Sequence, residues 1–192
     1  TDITRNPDCK IYRLTDEIVN AVVRCRSITH RLLCFSSRME PIKEAMDLNE
    51  LIREVLRVLN HAFLERQAKV DLDLAEDLPL LHADRGLLQQ ALFNLFNNAV
   101  EAIPVKGKIL VSTRLESVKT EDLEQLEGSG TVFVINIEDN GEGISRENLE
   151  HIFEPFYTTR MGYGTGLGLS ITYGIIQKLG GRIRVESELG KG

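Results

Sequence analysis

Four short stretches of this sequence carry residues whose types and spacing can do chemistry. In Asn94-Leu95-Phe96-Asn97-Asn98-Ala99, the amides of Asn94 and Asn98 stand four residues apart, on one face of a helix. An amide carbonyl is a hard oxygen donor, suited to a Mg2+ ion held mainly through phosphates. The same pair can also be bonded to neighbouring backbone, because leaving a buried amide unpaired costs roughly 1–3 kcal/mol. In Asp139-Asn140-Gly141-Glu142-Gly143, Gly141 and Gly143 let the backbone turn tightly and let a flat ring come close to a carboxylate. Asp139 only accepts hydrogen bonds, so it can hold an adenine amino group and repel the guanine oxygen in the same place. Read by itself, Asp-Asn-Gly is also a plain turn.

The third stretch is Phe153-Glu154-Pro155-Phe156-Tyr157-Thr158-Thr159-Arg160. Thr158, Thr159 and Arg160 offer hydroxyls and a guanidinium to phosphate oxygens. The aromatics around the proline can anchor a mobile lid at one end, and Phe153 and Phe156 are expected to fill core. The fourth is Gly162-Tyr163-Gly164-Thr165-Gly166-Leu167-Gly168-Leu169-Ser170, leading into a helix. Its glycines let backbone N–H groups converge on an anion at the helix N-terminus, where the dipole is also favourable. No Gly-Lys-Ser/Thr follows, so it is not a P-loop, and its late position does not suit a dinucleotide fold.

Other elements must position these residues. Asp84 caps a helix running through Leu87, Leu88, Ala91, Leu92, Leu95, Phe96, Ala99 and Ala102, which Pro104 closes. Asp47, with Glu50 as capping-box partner, starts a helix through Leu51, Ile52, Val55, Leu56, Leu59 and Phe63. Strands are expected at Val70–Leu74, 108–115, 131–138 and 182–188, and helices near 146–152 and 166–179. Residues 116–130 form an acidic connection. Upstream, Ile11, Leu14, Ile18, Ala21, Cys25, Ile28, Leu32 and Phe35 recur at steps of three and four. Such a heptad seam needs partner helices to be buried.

The chain has 192 residues, 42% hydrophobic and 27% charged, as in ordinary soluble proteins. A net charge of -6 with no basic stripe argues against nucleic acid as a partner. Cys9, Cys25 and Cys34 make neither a metal spacing nor a disulfide framework, which fits a cytoplasmic setting. No apolar run approaches the roughly 18–20 residues of a membrane span, so no membrane contact is expected of this chain, although a longer parent can be anchored. The polar start and abrupt finish read as those of a piece of a longer protein.

In order and spacing, the four stretches resemble the N, G1, F and G2 boxes of the histidine-kinase branch of the superfamily that includes gyrase, Hsp90 and MutL. Arg24 through Ser36 and Asp47 through Glu50 are similar, more loosely, to the second dimerisation helix and linker of nitrogen-regulator-like sensor kinases. The resemblance implies a two-layer α/β sandwich of the Bergerat type, a mixed sheet with helices on one side, preceded by a long dimerisation helix. It divides the chain at residues 1–45, the end of a dimerisation hairpin, and 46–192, the ATP-binding catalytic domain. It implies ATP and Mg2+ as cofactors, with Asn98 on the metal, Asn94 beside the phosphates, and both amides in the catalytic site. Asp139 would hold adenine, Gly141 and Gly143 would shape its pocket, and Gly164, Thr165, Gly166, Leu167 and Gly168 would line the lid and phosphate side.

ATP-hydrolysing relatives carry a Glu where Asn94 stands, and an amide cannot take a proton from water. The resemblance therefore implies phosphoryl transfer to a protein histidine, with a homodimer and a response-regulator receiver domain as partners. His30, His61, His82 and His151 all lack the acidic residue and Asn/Thr-Pro that follow the family's acceptor, which is expected upstream of Thr1. The family's final strand is expected beyond Gly192. A chaperone- or gyrase-like ATPase and a binding-only pseudokinase are the rival readings.

Overall fold

The computed structural model describes residues 41–117, 130–160 and 165–192. The heptad seam, the three cysteines, most of the acidic connection, and Gly162 and Gly164 of the fourth stretch lie outside the described residues.

The first element of the described chain is a three-residue strand, β1 (Glu44–Met46), which straddles the boundary expected at residues 45 and 46. Helix α1 (Leu48–Val58) follows, with Asp47 Oδ1 accepting the Glu50 N–H at 3.0 Å. Only half of the expected capping box forms, because the Glu50 carboxylate turns instead to Arg57 at 2.8 Å. The single helix expected from Asp47 to Phe63 is interrupted at Leu59 (φ −87°, ψ 1°), whose N–H is shared between the Val55 and Arg57 carbonyls. That tightened turn separates α1 from α2 (Asn60–Glu65). Strands β2 (Lys69–Leu74) and β3 (Leu81–Ala83) come next, and β3 pairs antiparallel with β1, Met46 opposite Leu81.

Helix α3 (Arg85–Ala102) starts where its sequence says it should, with the Leu87 N–H on Asp84 Oδ1 at 2.9 Å. The other oxygen of Asp84 accepts the backbone N–H of Ile42 at 3.0 Å. The helix stops at Ile103, held extended (φ −72°, ψ 148°) by the proline that follows.

Strands β4 (Lys108–Ser117) and β5 (Thr131–Asp139) complete a mixed sheet in the order β2-β4-β5. Strands β2 and β4 run parallel, Val70 beside Ile109, with α3 in the crossover; β4 and β5 run antiparallel, Ile109 beside Asp139. Along β4 the side chains alternate, Ile109, Val111 and Thr113 buried and Lys108, Leu110 and Arg114 exposed. Against the buried face pack Leu51, Ile52 and Val55 of α1 and Leu88, Leu92, Phe96 and Ala99 of α3. This is the expected α/β arrangement of a mixed sheet with helices. Phe96 is fully buried, and truncation of such a ring to Ala typically costs about 3–5 kcal/mol.

Beyond the sheet lie α4 (Arg146–Leu149), shorter than expected, and α5 (Gly168–Lys178). Helix α5 begins two residues late because Gly166 is left-handed (φ +64°). The strand expected over 182–188 makes no ladder. At its end Glu188 N–H donates to the Gly192 carbonyl at 2.9 Å, and just beyond it Gly190 N–H donates to the Glu142 carbonyl at 2.7 Å. Ser187 Oγ accepts the Ile144 N–H at 2.8 Å. Alternation of Ile183 and Val185 sets which side each faces, but a strand also needs a partner in register.

Candidate nucleotide site around helix α3

Helix α3 is the hub to which the other three motifs attach. Near its middle, Asn94 is buried, and its Nδ2 points at the Gly168 carbonyl and at Thr172 Oγ1, each 3.4 Å away. Both contacts are at the long end for an N–H···O bond. Thr172, itself fully buried, donates to the same Gly168 carbonyl at 2.9 Å. One turn on, Asn98 is half-buried and lies near Gly168, whose absent Cβ would sit 3.9 Å from Asn98 Oδ1. No hydrogen bond engages the Asn98 amide among the described residues. The two amides therefore differ: Asn94 is tied into the α3–α5 contact, while Asn98 keeps its carbonyl available as a hard donor.

The second motif docks on the end of α3. Asp139, paired with Ile109 in the ladder, stands on the helix-facing side of β5 together with Ile135 and Ile137. Its Oδ1 accepts the Gly141 N–H at 2.8 Å, and among the described residues its second oxygen has no partner. Asn140 closes the end of the β4–β5 ladder, its Oδ1 accepting the Lys108 N–H at 2.6 Å, and Glu142 N–H donates to the Ala102 carbonyl at 3.2 Å. Both glycines make room for the chain's own atoms. A Cβ at Gly141 would lie 2.6 Å from Asp139 Oδ1 and 2.7 Å from the Ala102 carbonyl, and one at Gly143 (φ +67°) would meet the Glu188 carbonyl at 2.1 Å.

The third and fourth motifs are joined by a backbone crossing. Phe156 N–H donates to the Gly166 carbonyl at 2.9 Å, and a Cβ at Gly166 would come within 2.4 Å of the Phe156 backbone. The crossing holds Phe156 in a left-handed conformation (φ 68°) and turns its ring outward, 66% exposed. Phe156 is thus not the core residue expected from sequence; the half-buried Phe153, 5.2 Å from the Tyr173 ring, is nearer that role. Thr158 Oγ1 accepts the Arg160 N–H at 3.1 Å, and Thr159 is exposed. The Arg160 guanidinium pairs with Glu101 at the end of α3 and reaches Glu142 at 3.5 Å.

Helix α5 starts without a side-chain cap: Leu167, at the cap position, makes no side-chain hydrogen bond, and its own side chain is buried. The Gly168, Leu169 and Ser170 N–H groups have no acceptor among the described residues, as an anion-binding helix start requires. Thr165 is half-buried beside this turn.

Four residues of this arrangement escaped the sequence reading. Thr172, Asn97, Glu101 and Glu142 act through partners up to 78 positions away. Asn97 and Glu142 lie inside the first and second motifs and Glu101 just after the first, but their types there name no partner. Nearby, His151 Nδ1 is 2.8 Å from Glu154 Oε1. That hydrogen bond, and then the charge of Glu154, raises the imidazole above its usual 6.5; Glu150 adds to this and desolvation opposes it.

Residues 83–192 match the family of histidine kinase-, DNA gyrase B- and HSP90-like ATPases. The chain belongs to this family. Within it, the likeness is to sensor histidine kinases and their catalytic ATP-binding domains. Sensor kinase CckA of Brucella abortus (strain 2308) is 39% identical over 174 residues, which cover 88% of this chain and 18% of CckA. The catalytic domain of histidine kinase ThkA, solved nucleotide-free, is 33% identical with a TM-score of 0.59, over 73% of this chain and 82% of that one. ThkA solved in complex with response regulator protein TrrA is 26% identical with a TM-score of 0.68, over 92% of this chain and 46% of that one. The chain spans less than a fifth of CckA.

Proposed function

We propose that this chain binds Mg-ATP between α3, the Asp139 loop and the start of α5, and directs the γ-phosphoryl group to a histidine on the first helix of the dimerisation hairpin. The observation that carries the reading is the set of unused polar groups around α3. These are the Asn98 carbonyl, one Asp139 oxygen and the open N–H groups of α5, which together suit a metal, an amino group and an anion. Asp139 accepts the adenine amino hydrogen bond and leaves guanine unpaired. The α5 donors and Arg160, with the Thr158 and Thr159 hydroxyls beside it, receive phosphate oxygens.

Among the described residues no cluster of three or more His, Cys, Asp or Glu side chains could hold a metal alone. Mg2+ would therefore sit on phosphate oxygens with Asn98 as its protein donor, which the free amide fits, and it would neutralise charge that develops on those oxygens. Transfer forms a bond between an imidazole nitrogen and the γ-phosphorus while the β–γ bridging P–O bond breaks, and ADP leaves with the electron pair. Asn94 cannot take a proton from water, so hydrolysis competes poorly.

A receiver domain is the onward partner, in line with the ThkA–TrrA complex, and the heptad seam pairs two copies in the parent protein. A cytoplasmic location belongs to the same reading; no helix among the described residues is long and apolar enough to cross a membrane.

Calorimetric titration with a non-hydrolysable ATP analogue tests this. Asp139→Asn should weaken binding by about 1–3 kcal/mol, and Asn98→Ala should remove the magnesium-dependent part alone. Unaltered affinity in the first variant, or no magnesium-dependent heat in the parent chain, overturns the proposal.

A further inference from the structure

Arg160 stands between two carboxylates that belong to different walls of the site. Glu101 lies one turn beyond Asn98 on α3, and its Oε1 is fixed by the Asn97 amide at 2.6 Å, which turns Oε2 towards the guanidinium. Glu142 approaches from the Asp139 loop at 3.5 Å. A guanidinium fork fits a carboxylate and a phosphate with the same atoms, so one ligand excludes or displaces the other. The side chains of Arg160, Glu101 and Glu142 are 32%, 47% and 65% exposed, so these are weak, solvated pairs that can be exchanged.

We propose that Glu101, assisted by Glu142, is a resident competitor for nucleotide phosphates at Arg160. In the nucleotide-free chain it occupies the guanidinium, and a phosphate group must displace it to bind there. Only a ligand carrying phosphates meets this opposition; adenosine, which needs only the Asp139 pocket, does not. Glu101 is then a positioning residue that tunes how strongly the phosphate chain adds to the affinity of the base. The inference rests on the nucleotide-binding reading above.

Affinities for ATP and adenosine, measured by NMR-detected titration on the full chain, test both readings separately. Glu101→Gln should tighten ATP about two- to fivefold and leave adenosine unchanged. Glu142→Gln should give a smaller gain in the same direction. In an Arg160→Gln background the gain from Glu101→Gln should vanish, because nothing remains to compete for. A gain that persists without Arg160 means simple repulsion of phosphate by Glu101 and overturns the competitor role. Weaker or unchanged ATP binding in Glu101→Gln, with normal adenosine binding, overturns it as well. If the parent chain binds neither ligand, the nucleotide reading falls and the competitor role falls with it.

Discussion

Helices α3 and α5 meet through Asn94, Gly168 and Thr172, yet they begin in opposite ways. The first turn of α3 is closed by a carboxylate, Asp84, which takes the Leu87 N–H and also holds the backbone of Ile42. Helix α5 has no side-chain cap; its start is set by a left-handed glycine pressed against Phe156. Helices α1 and α4 resemble α3, capped by Asp47 and Ser145. A capped start spends its donors on the fold and serves as scaffold. An open start keeps them for something that arrives from outside, at the expense of local stability.

Gly166→Ala attacks this contrast most directly. A Cβ there meets backbone at 2.4 Å in a left-handed turn, so unfolding free energy from urea titration should drop by at least about 1–3 kcal/mol. A fall of a few tenths would show that α5 does not depend on that turn. Asp84→Ala should cost about 0.5–2 kcal/mol, and more than Asp47→Ala, because Asp84 holds Ile42 as well as its cap. Equal losses in the two variants would mean that the second bond is worth nothing. Hydrogen exchange should show the Leu87 amide protected in the free chain, and the Gly168, Leu169 and Ser170 amides slowed only when ATP is added. Protection of those three amides without nucleotide would erase the distinction.

The smallest effect concerns His151, next to the α4 turn. Its imidazole should titrate above 6.5 by NMR and move down in Glu154→Gln. Since the folded value is raised, the pair's contribution to stability is complete below 6.5 and disappears as pH rises through the raised value.

Helix α3 was readable from sequence because its signals are local: Asp84, a stripe of apolar residues and Pro104 all fall within one segment. Strands β4 and β5 were similarly foreshadowed by two apolar runs flanking an acidic connection, though their antiparallel pairing was not. Strands β1 and β3 left no trace, since three residues are too few to show alternation. The missing ladder at 182–188 is the converse, an alternating pattern with no partner strand in register among the described residues, whose last residue, Glu188, donates its N–H to Gly192. In the site, the motif residues were visible through their types and spacing. The arrangement of Arg160 between Glu101 and Glu142 was not, because it joins positions 59 and 18 residues apart. Nor could spacing tell that Asn94 would be tied to α5 while Asn98 stayed free.

Asp84 also has a mechanical meaning. One carboxylate moors the peptide at Ile42 to the foot of the helix that carries Asn98, and the short β1–β3 ladder beside it resists sliding. Loosening that mooring should free the peptide at Ile42 and leave the middle of the helix, where Asn94 and Asn98 stand, in place.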